Sequence, residues 1–232
     1  MSILFKSVAT FTGNAATITS SLTLAAGSPN PVLIVHVSTK VSPVGDVVSG
    51  VTYNGAAMTK AVIGLDGGAA AQIATDTFYL FNPTTDGAAH NLVVSYSSAG
   101  NSIIFAALYS GVNKVGNTIT PVVGSGSTAG NAGLTRTDLE ITLSNTFAKG
   151  LTTMIGSAKN NGAITLTIDA NTTQRGSKTT FGSGVSQIHA FMGDHAEGAI
   201  GVSDVIGGTI TAAASLANSG VEMSEMRTRI AT

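Results

Sequence analysis

Apolar and polar residues alternate with a period of two along much of this chain, and the alternation is broken at short intervals by turn residues. Ala16 to Leu24 places Ile18, Leu22 and Leu24 on one parity and Thr17, Thr19, Ser21 and Thr23 on the other. That is the signature of a strand with one buried face. Asp138 to Leu143 and Ala163 to Asp169 alternate as cleanly. Val32 to Val37 is apolar on both parities and predicts a central strand. Ile3 to Phe11, Thr77 to Phe81, Asn91 to Ser97, Ser102 to Ser110, Leu151 to Gly156, Val185 to Met192 and Thr209 to Ala214 read as further strands. Val221 to Ile230 is ambiguous. Ser219 and Glu222 imitate a capping box, and Met223, Met226 and Ile230 have helical spacing.

Turn chemistry separates these runs. Asn54-Gly55 supplies two residues that tolerate positive φ, which predicts a type I′ hairpin with Val51 and Tyr53 before it and Met58, Lys60 and Val62 after it. Gly27 to Pro31 is a turn, Asn82-Pro83 ends a strand, and Ser110-Gly111 ends another. Long loops are expected near 64–74, 113–135 and 193–208, with a polar loop at 171–184. No internal repeat or linker is evident. The expectation is all-β: one domain over 1–232, a two-sheet antiparallel β-sandwich, jelly-roll-like, with less than about 10% helix.

The stretch from Val48 to Val112 resembles a β-sandwich domain of bacteriophage virion proteins. The resemblance is carried by Tyr53-Asn54-Gly55, Met58, Phe78-Tyr79-Leu80, Asn82-Pro83, Gly87, Leu92 to Ser97, and Ala106 followed by Tyr109-Ser110-Gly111-Val112. These are turn and core positions. The domain is met in head-decoration, fibre and tail-associated proteins and in some secreted bacterial surface proteins. The resemblance therefore implies first a capsid-decorating or head-surface protein of the virion, assembled in the host cytoplasm, and as the alternative a host- or glycan-binding module of a tail fibre or secreted adhesin. Its partners would be copies of itself and other virion proteins. It also favours a strand over a helix at Val221 to Ile230. The family often carries Trp in its last strand, whereas this chain has no Trp and has Met223 and Met226 there.

Composition sharpens the picture. Only 10% of residues are charged, against roughly 25% in an ordinary soluble domain. Net charge is −1 and no basic block exists, so a nucleic-acid surface is not expected. A neutral exterior of Gly, Ala, Ser, Thr and Asn repels copies of itself weakly and suits a subunit of an assembly. There is no Cys, so disulfides and thiolate metal sites are excluded. No apolar run approaches the ~20 residues of a spanning helix, and no membrane insertion is expected. The polar residues from Thr10 to Ser21 interrupt any apolar signal-peptide core.

Candidate chemistry is sparse, and the chain is not expected to be an enzyme or to need a cofactor. The one dense polar cluster is His189, Asp194, His195 and Glu197. As a metal site it would suit Ca²⁺ better than Zn²⁺, but the preferred reading is a solvated turn beside a strand. Asp66, Asp76 and Asp86 read as separate loop acids, too dispersed for a glycosidase pair. His36 and His90 read as core or edge histidines. Tyr53, Tyr79, Tyr96 and Tyr109 lie in or beside strands, which argues against a sugar-stacking platform. A host-surface glycan therefore ranks behind self-association as a partner. The expected assembly contact is an arm at Asn113 to Thr135, carrying Val115, Ile119, Pro121, Val122 and Val123.

Overall fold

A computed structural model describes residues 2–40, 46–65, 73–119, 136–144, 150–160, 163–183, 187–196, 203–213 and 215–225. These residues form strands and no helix, and every strand pairing is antiparallel. The sheets pack as a β-sandwich, as the alternation predicts, but there are four sheets rather than two.

The first half contains β1 (Leu4–Gly13), β2 (Thr17–Thr23), β3 (Val32–Lys40), β4 (Val48–Tyr53), β5 (Ala56–Ala57), β6 (Thr59–Leu65), β7 (Ile73–Phe81), β8 (Ala89–Tyr96) and β9 (Ser102–Ser110). They form sheet A, in the order β1-β9-β3-β7-β6, and sheet B, in the order β2-β8-β4-β5. The pairing is nested: β1 with β9, β2 with β8, β3 with β7, β4 with β5. A long hairpin rolled up on itself has this pattern, which is that of a jelly roll.

The second half contains β10 (Val112–Ile119), β11 (Arg136–Ser144), β12 (Leu151–Lys159), β13 (Leu166–Ile168), β14 (Thr173–Phe181), β15 (Ile188–Ala196), β16 (Ser203–Ala213) and β17 (Ser215–Glu225). Sheet C runs β10-β17-β12-β15-β14 and sheet D runs β11-β16-β13. Strand for strand, sheet C repeats sheet A, and sheet D repeats the first three strands of sheet B. The register repeats too. Lys40 faces Ile73 and Val32 faces Phe81 across β3 and β7, while Lys159 faces Ile188 and Leu151 faces Ala196 across β12 and β15. Gly111 alone separates β9 from β10. The sequences of the two halves have diverged enough to hide this repeat.

The four sheets stack in the order B, A, C, D, with an apolar layer in each gap. Leu33, Val35 and Val37 of β3 face sheet B with Ile18, Leu22, Tyr53, Leu92 and Val94. Val32 and Ile34 face sheet C with Ile155, Met192 and Met223. Met154, Phe191, Ile206, Ile210 and Leu216 fill the gap between C and D. The contacts between A and C occur in matched couples: β7 with β17 and β15 with β9, β6 with β17 and β14 with β9, β3 with β15 and β12 with β7. Such matching describes a local twofold that runs between β3 and β12. Close approach at this interface requires glycine at 176, where a Cβ would lie 2.6 Å from Phe105 and 3.0 Å from the Met192 Cβ.

Several expectations are corrected. The Asn54-Gly55 turn has φ of 49° and 78°, as a type I′ loop needs. However, the returning strand is only Ala56–Ala57, and from Thr59 the chain crosses to the edge of sheet A. The polar segment at 171–184 is largely strand β14, an edge strand whose exposed positions earn it a polar sequence. The long loops shrink because β6, β7, β10, β15 and β16 extend into them. Of the ambiguous segment Val221 to Ile230, Val221 to Glu225 is strand, within β17, and Met226 to Ile230 lie outside the described residues.

Gly55 is open to solvent, so a side chain there meets a conformational penalty and no clash. Gly55→Val is expected to destabilise the fold by about 1 kcal/mol or more, because a β-branched residue is strained at positive φ. Thermal denaturation followed by circular dichroism measures it, and an unchanged midpoint would refute the turn assignment.

Candidate functional site

Two polar clusters lie inside the stack. The first is a seam between sheets A and C, built from alternate residues of strands that are otherwise apolar. His36 on β3 is fully buried. Its Nδ1 lies 2.9 Å from Thr77 Oγ1 and its Nε2 3.1 Å from Thr153 Oγ1. Thr153 Oγ1 donates to the Gly193 carbonyl at 3.3 Å, so it accepts from Nε2–H. Nδ1 then accepts from Thr77, whose oxygen accepts in turn from Ser219 at 2.9 Å. The direction of the whole chain of bonds is thereby fixed, with His36 neutral and protonated on Nε2. Burial pushes its pKa down to about 3.

Ser38 and Ser157 occupy equivalent places on β3 and β12, and their hydroxyls meet at 2.5 Å across the local twofold. Ser157 donates onward to the His189 carbonyl at 3.2 Å. At the rim of the seam, Asp194 accepts from Arg175 Nε at 2.7 Å and from Tyr109 OH at 3.2 Å. The guanidinium also stacks over Phe5, 4.5 Å from the ring centre. Burial raises the Asp194 pKa, and the bonds from Arg175 and Tyr109 counter that.

The second cluster lies in the A–B gap, beside sheet A's β6 edge. Asp76 and Phe78 share the inward face of β7, and Lys60 of β6 sits opposite Phe78. A bulge between Lys60 and Val62 turns the Lys60 side chain over this face. Its Nζ donates to both Asp46 oxygens at 2.6 and 2.7 Å and to the Val48 carbonyl at 2.8 Å. It also lies 2.9 Å from Asp76 Oδ1 and 5.1 Å from the centre of the Phe78 ring. The Asp76 side chain has no solvent exposure, whereas Lys60 and Asp46 side chains are 28% and 48% exposed. The Lys60–Asp76 contact is close but off the hydrogen-bonding direction, and neither Asp76 oxygen receives an aligned hydrogen bond. Tyr96 OH is buried in the same gap, beside the Ser102 and Thr39 hydroxyls. Burial outweighs the nearby ammonium and raises the Asp76 pKa to about 6, and it raises that of Tyr96 to about 12.

The residues singled out in the sequence fall elsewhere. His189 and His195 share one face of β15, while Asp194 is on the other and is held by Arg175 and Tyr109. His189 Nδ1 bonds Thr180 at 2.8 Å, and His195 Nδ1 bonds the Asn171 carbonyl at 2.5 Å. Glu197 lies outside the described residues. The cluster therefore does not converge, because strand pleating separates neighbours in sequence. Val115 and Ile119, expected on a loose arm, are in edge strand β10, with Val115 opposite Met223 and Ile119 opposite Gly220. Pro121, Val122 and Val123 lie outside the described residues. Asp76, expected in a loop, is interior to β7; Asp86 is exposed and bonds His90 at 3.0 Å. The missed signal for Asp76 was an acid within the apolar run from Ile73 to Phe81, where a strand interior demands a partner. Comparison with family models, with curated proteins and with solved structures gave no match to this chain.

The His36 arrangement generates a pH dependence. An imidazole whose folded-state pKa lies below its ordinary value of 6.5 stabilises the fold only while neutral. Its contribution is whole above pH 6.5 and is lost as pH falls toward 3. At two pH units below that ordinary value the loss approaches ~2.7 kcal/mol. His36→Gln should remove this slope. Melting temperatures of parent and variant at pH 7 and at acidic pH measure it, with the smaller acid-induced drop expected in the variant.

Proposed function

We propose that this chain is a structural protein of a bacteriophage virion, a capsid-decorating or head-surface subunit that self-associates and docks on a shell. The resemblance of residues 48–112 points that way, and the observation that carries the reading is the character of two sheet edges. β1 ends sheet A and β2 ends sheet B, and the two edges adjoin. Together they offer ten and seven residues with one charged side chain, Lys6, and no Pro. Leu4 on β1 is 53% exposed. An edge strand presents unpaired backbone donors and acceptors, and proteins that stay apart guard such edges with charge, Pro or bulges. The single bulge in β1, near Lys6, leaves the regular run Ser7 to Gly13 open. Pairing of that run with a neighbour's strand would extend a sheet from subunit to subunit.

The interior fits a rigid building unit. Directed hydrogen bonds of His36, Thr77, Thr153 and Ser219 cross the A–C seam and give the stack fixed geometry. Among the described residues no helix is long and apolar enough to cross a membrane.

Sedimentation velocity tests the reading. The parent chain is expected to associate as concentration rises. Leu4→Lys combined with Thr10→Lys should shift it toward monomer, while the melting temperature changes by no more than about 0.5 kcal/mol of stability would produce. A parent that stays monomeric throughout and fails to decorate emptied phage heads would overturn the proposal.

A further inference from the structure

We propose that Lys60 and Asp76 join into an intramolecular amide, with Asp46 as the proton carrier, so that the chain ties sheet A's edge strand β6 covalently to β7. Three observations carry this, and none depends on the virion reading.

The first is proximity. Lys60 Nζ lies 2.9 Å from Asp76 Oδ1, so the amine and the carboxyl are held in direct contact, as an intramolecular attack requires. The second is the condition of the electrophile. A carboxylate held by several aligned hydrogen bonds is stabilised against attack, but the one partner of Asp76 is the Lys60 ammonium itself, and the side chain is shut off from water. Burial favours its protonated form, the form an amine can attack. The exclusion of water also protects the product from hydrolysis. The third is the base. Asp46 accepts from the same ammonium through both oxygens, at 2.6 and 2.7 Å, and it stays in touch with solvent. The Val48 carbonyl at 2.8 Å and the Phe78 ring fix the direction of the lysine chain. As an ordinary ion pair the arrangement is costly, since it buries a whole carboxylate against a single poorly aligned partner.

The step balances without any added reagent. Asp46 takes one proton from the Lys60 ammonium. The freed lone pair forms the N–C bond to the Asp76 carboxyl carbon and gives a tetrahedral centre. The nitrogen loses a second proton, one carboxyl oxygen takes up the protons it needs, and its C–O bond breaks to release water. Asp46 ends ionised as it began. One ammonium and one carboxylate become one neutral amide and one water, with no oxidation or reduction. Each chain reacts once, so this is a maturation of the fold and not turnover.

Intact-mass spectrometry of the full folded chain is the test. The parent is expected to be lighter than its sequence by one water, and a protease digest should yield a branched peptide joining the segments that hold Lys60 and Asp76. Lys60→Arg should restore the full mass. Asp76→Asn should still react, losing ammonia in place of water, which a purely electrostatic pair does not do. Asp46→Ala should slow or stop the reaction while circular dichroism shows the same β fold. A folded parent at full sequence mass, with no branched peptide after prolonged incubation, overturns the proposal. An Asp46→Ala chain that cross-links as fast as the parent removes Asp46 from its role.

Discussion

The stack stands on one constraint: sheets A and C are each buried on both faces, so their central strands must be dry on both sides and fully paired at the backbone. β3 shows what this demands. It pairs with β7 on one side and β9 on the other, and none of its side chains before Lys40 reaches solvent. Apolar residues meet that demand toward sheet B. Toward sheet C the strand carries His36 and Ser38, and each is acceptable only because a specific partner waits on the facing sheet. An interface of apolar residues alone would slide at little cost. A directed chain of hydrogen bonds from Ser219 to Gly193 permits one register only.

The local twofold gives that seam its economy. Equivalent strands from the two halves run side by side, so one favourable arrangement is used twice wherever the sequences allow. Ser38 and Ser157 keep it at the axis itself. Elsewhere the halves have specialised: Asp194 with Arg175 and Tyr109 on one side corresponds in the repeat to an apolar meeting of Tyr79 and Met223. Burial treats the two polar clusters differently. In the seam His36, Ser38, Thr77, Thr153, Ser157 and Ser219 bond one another and, among the described residues, only Thr75 Oγ1 is left over, whereas the Asp46–Lys60–Asp76 cluster keeps one carboxyl at odds with its surroundings.

Much of the fold was legible in the sequence. Period-two alternation located β2, and short apolar runs closed by turn residues located β3, β8 and β9, because each has one or both faces packed on apolar neighbours. Asn54-Gly55 announced its turn through positive φ. β14 was not legible, since an edge strand beside solvent needs few apolar residues and its Gly176 serves a close contact with Phe105 that lies far off in sequence. The doubling into four sheets was equally hidden: long-range pairing order leaves no periodic trace when the paired side chains have changed. The polar clusters failed to announce themselves for a similar reason. Asp46, Lys60 and Asp76 are dispersed along the chain and meet only through a bulge and a strand that changes sheets. Density of polar residues in sequence pointed instead to His189, Asp194 and His195, which pleating sends to opposite faces.

The nested pairing also sets the order in which the chain can acquire structure. β1 has its partner in β9, so Leu4 waits for Ser110 before its first ladder closes. Contacts this distant make folding slow, since loop closure must be achieved before any pairing rewards it. On a ribosome the first roll can close only after β9 has emerged. Sheet A then displays a broad apolar face with nothing on it until β12, β15 and β17 have been made. For that interval the nascent chain is vulnerable to capture by other unfinished copies of itself, and the pace of synthesis after Gly111 governs how long the interval lasts.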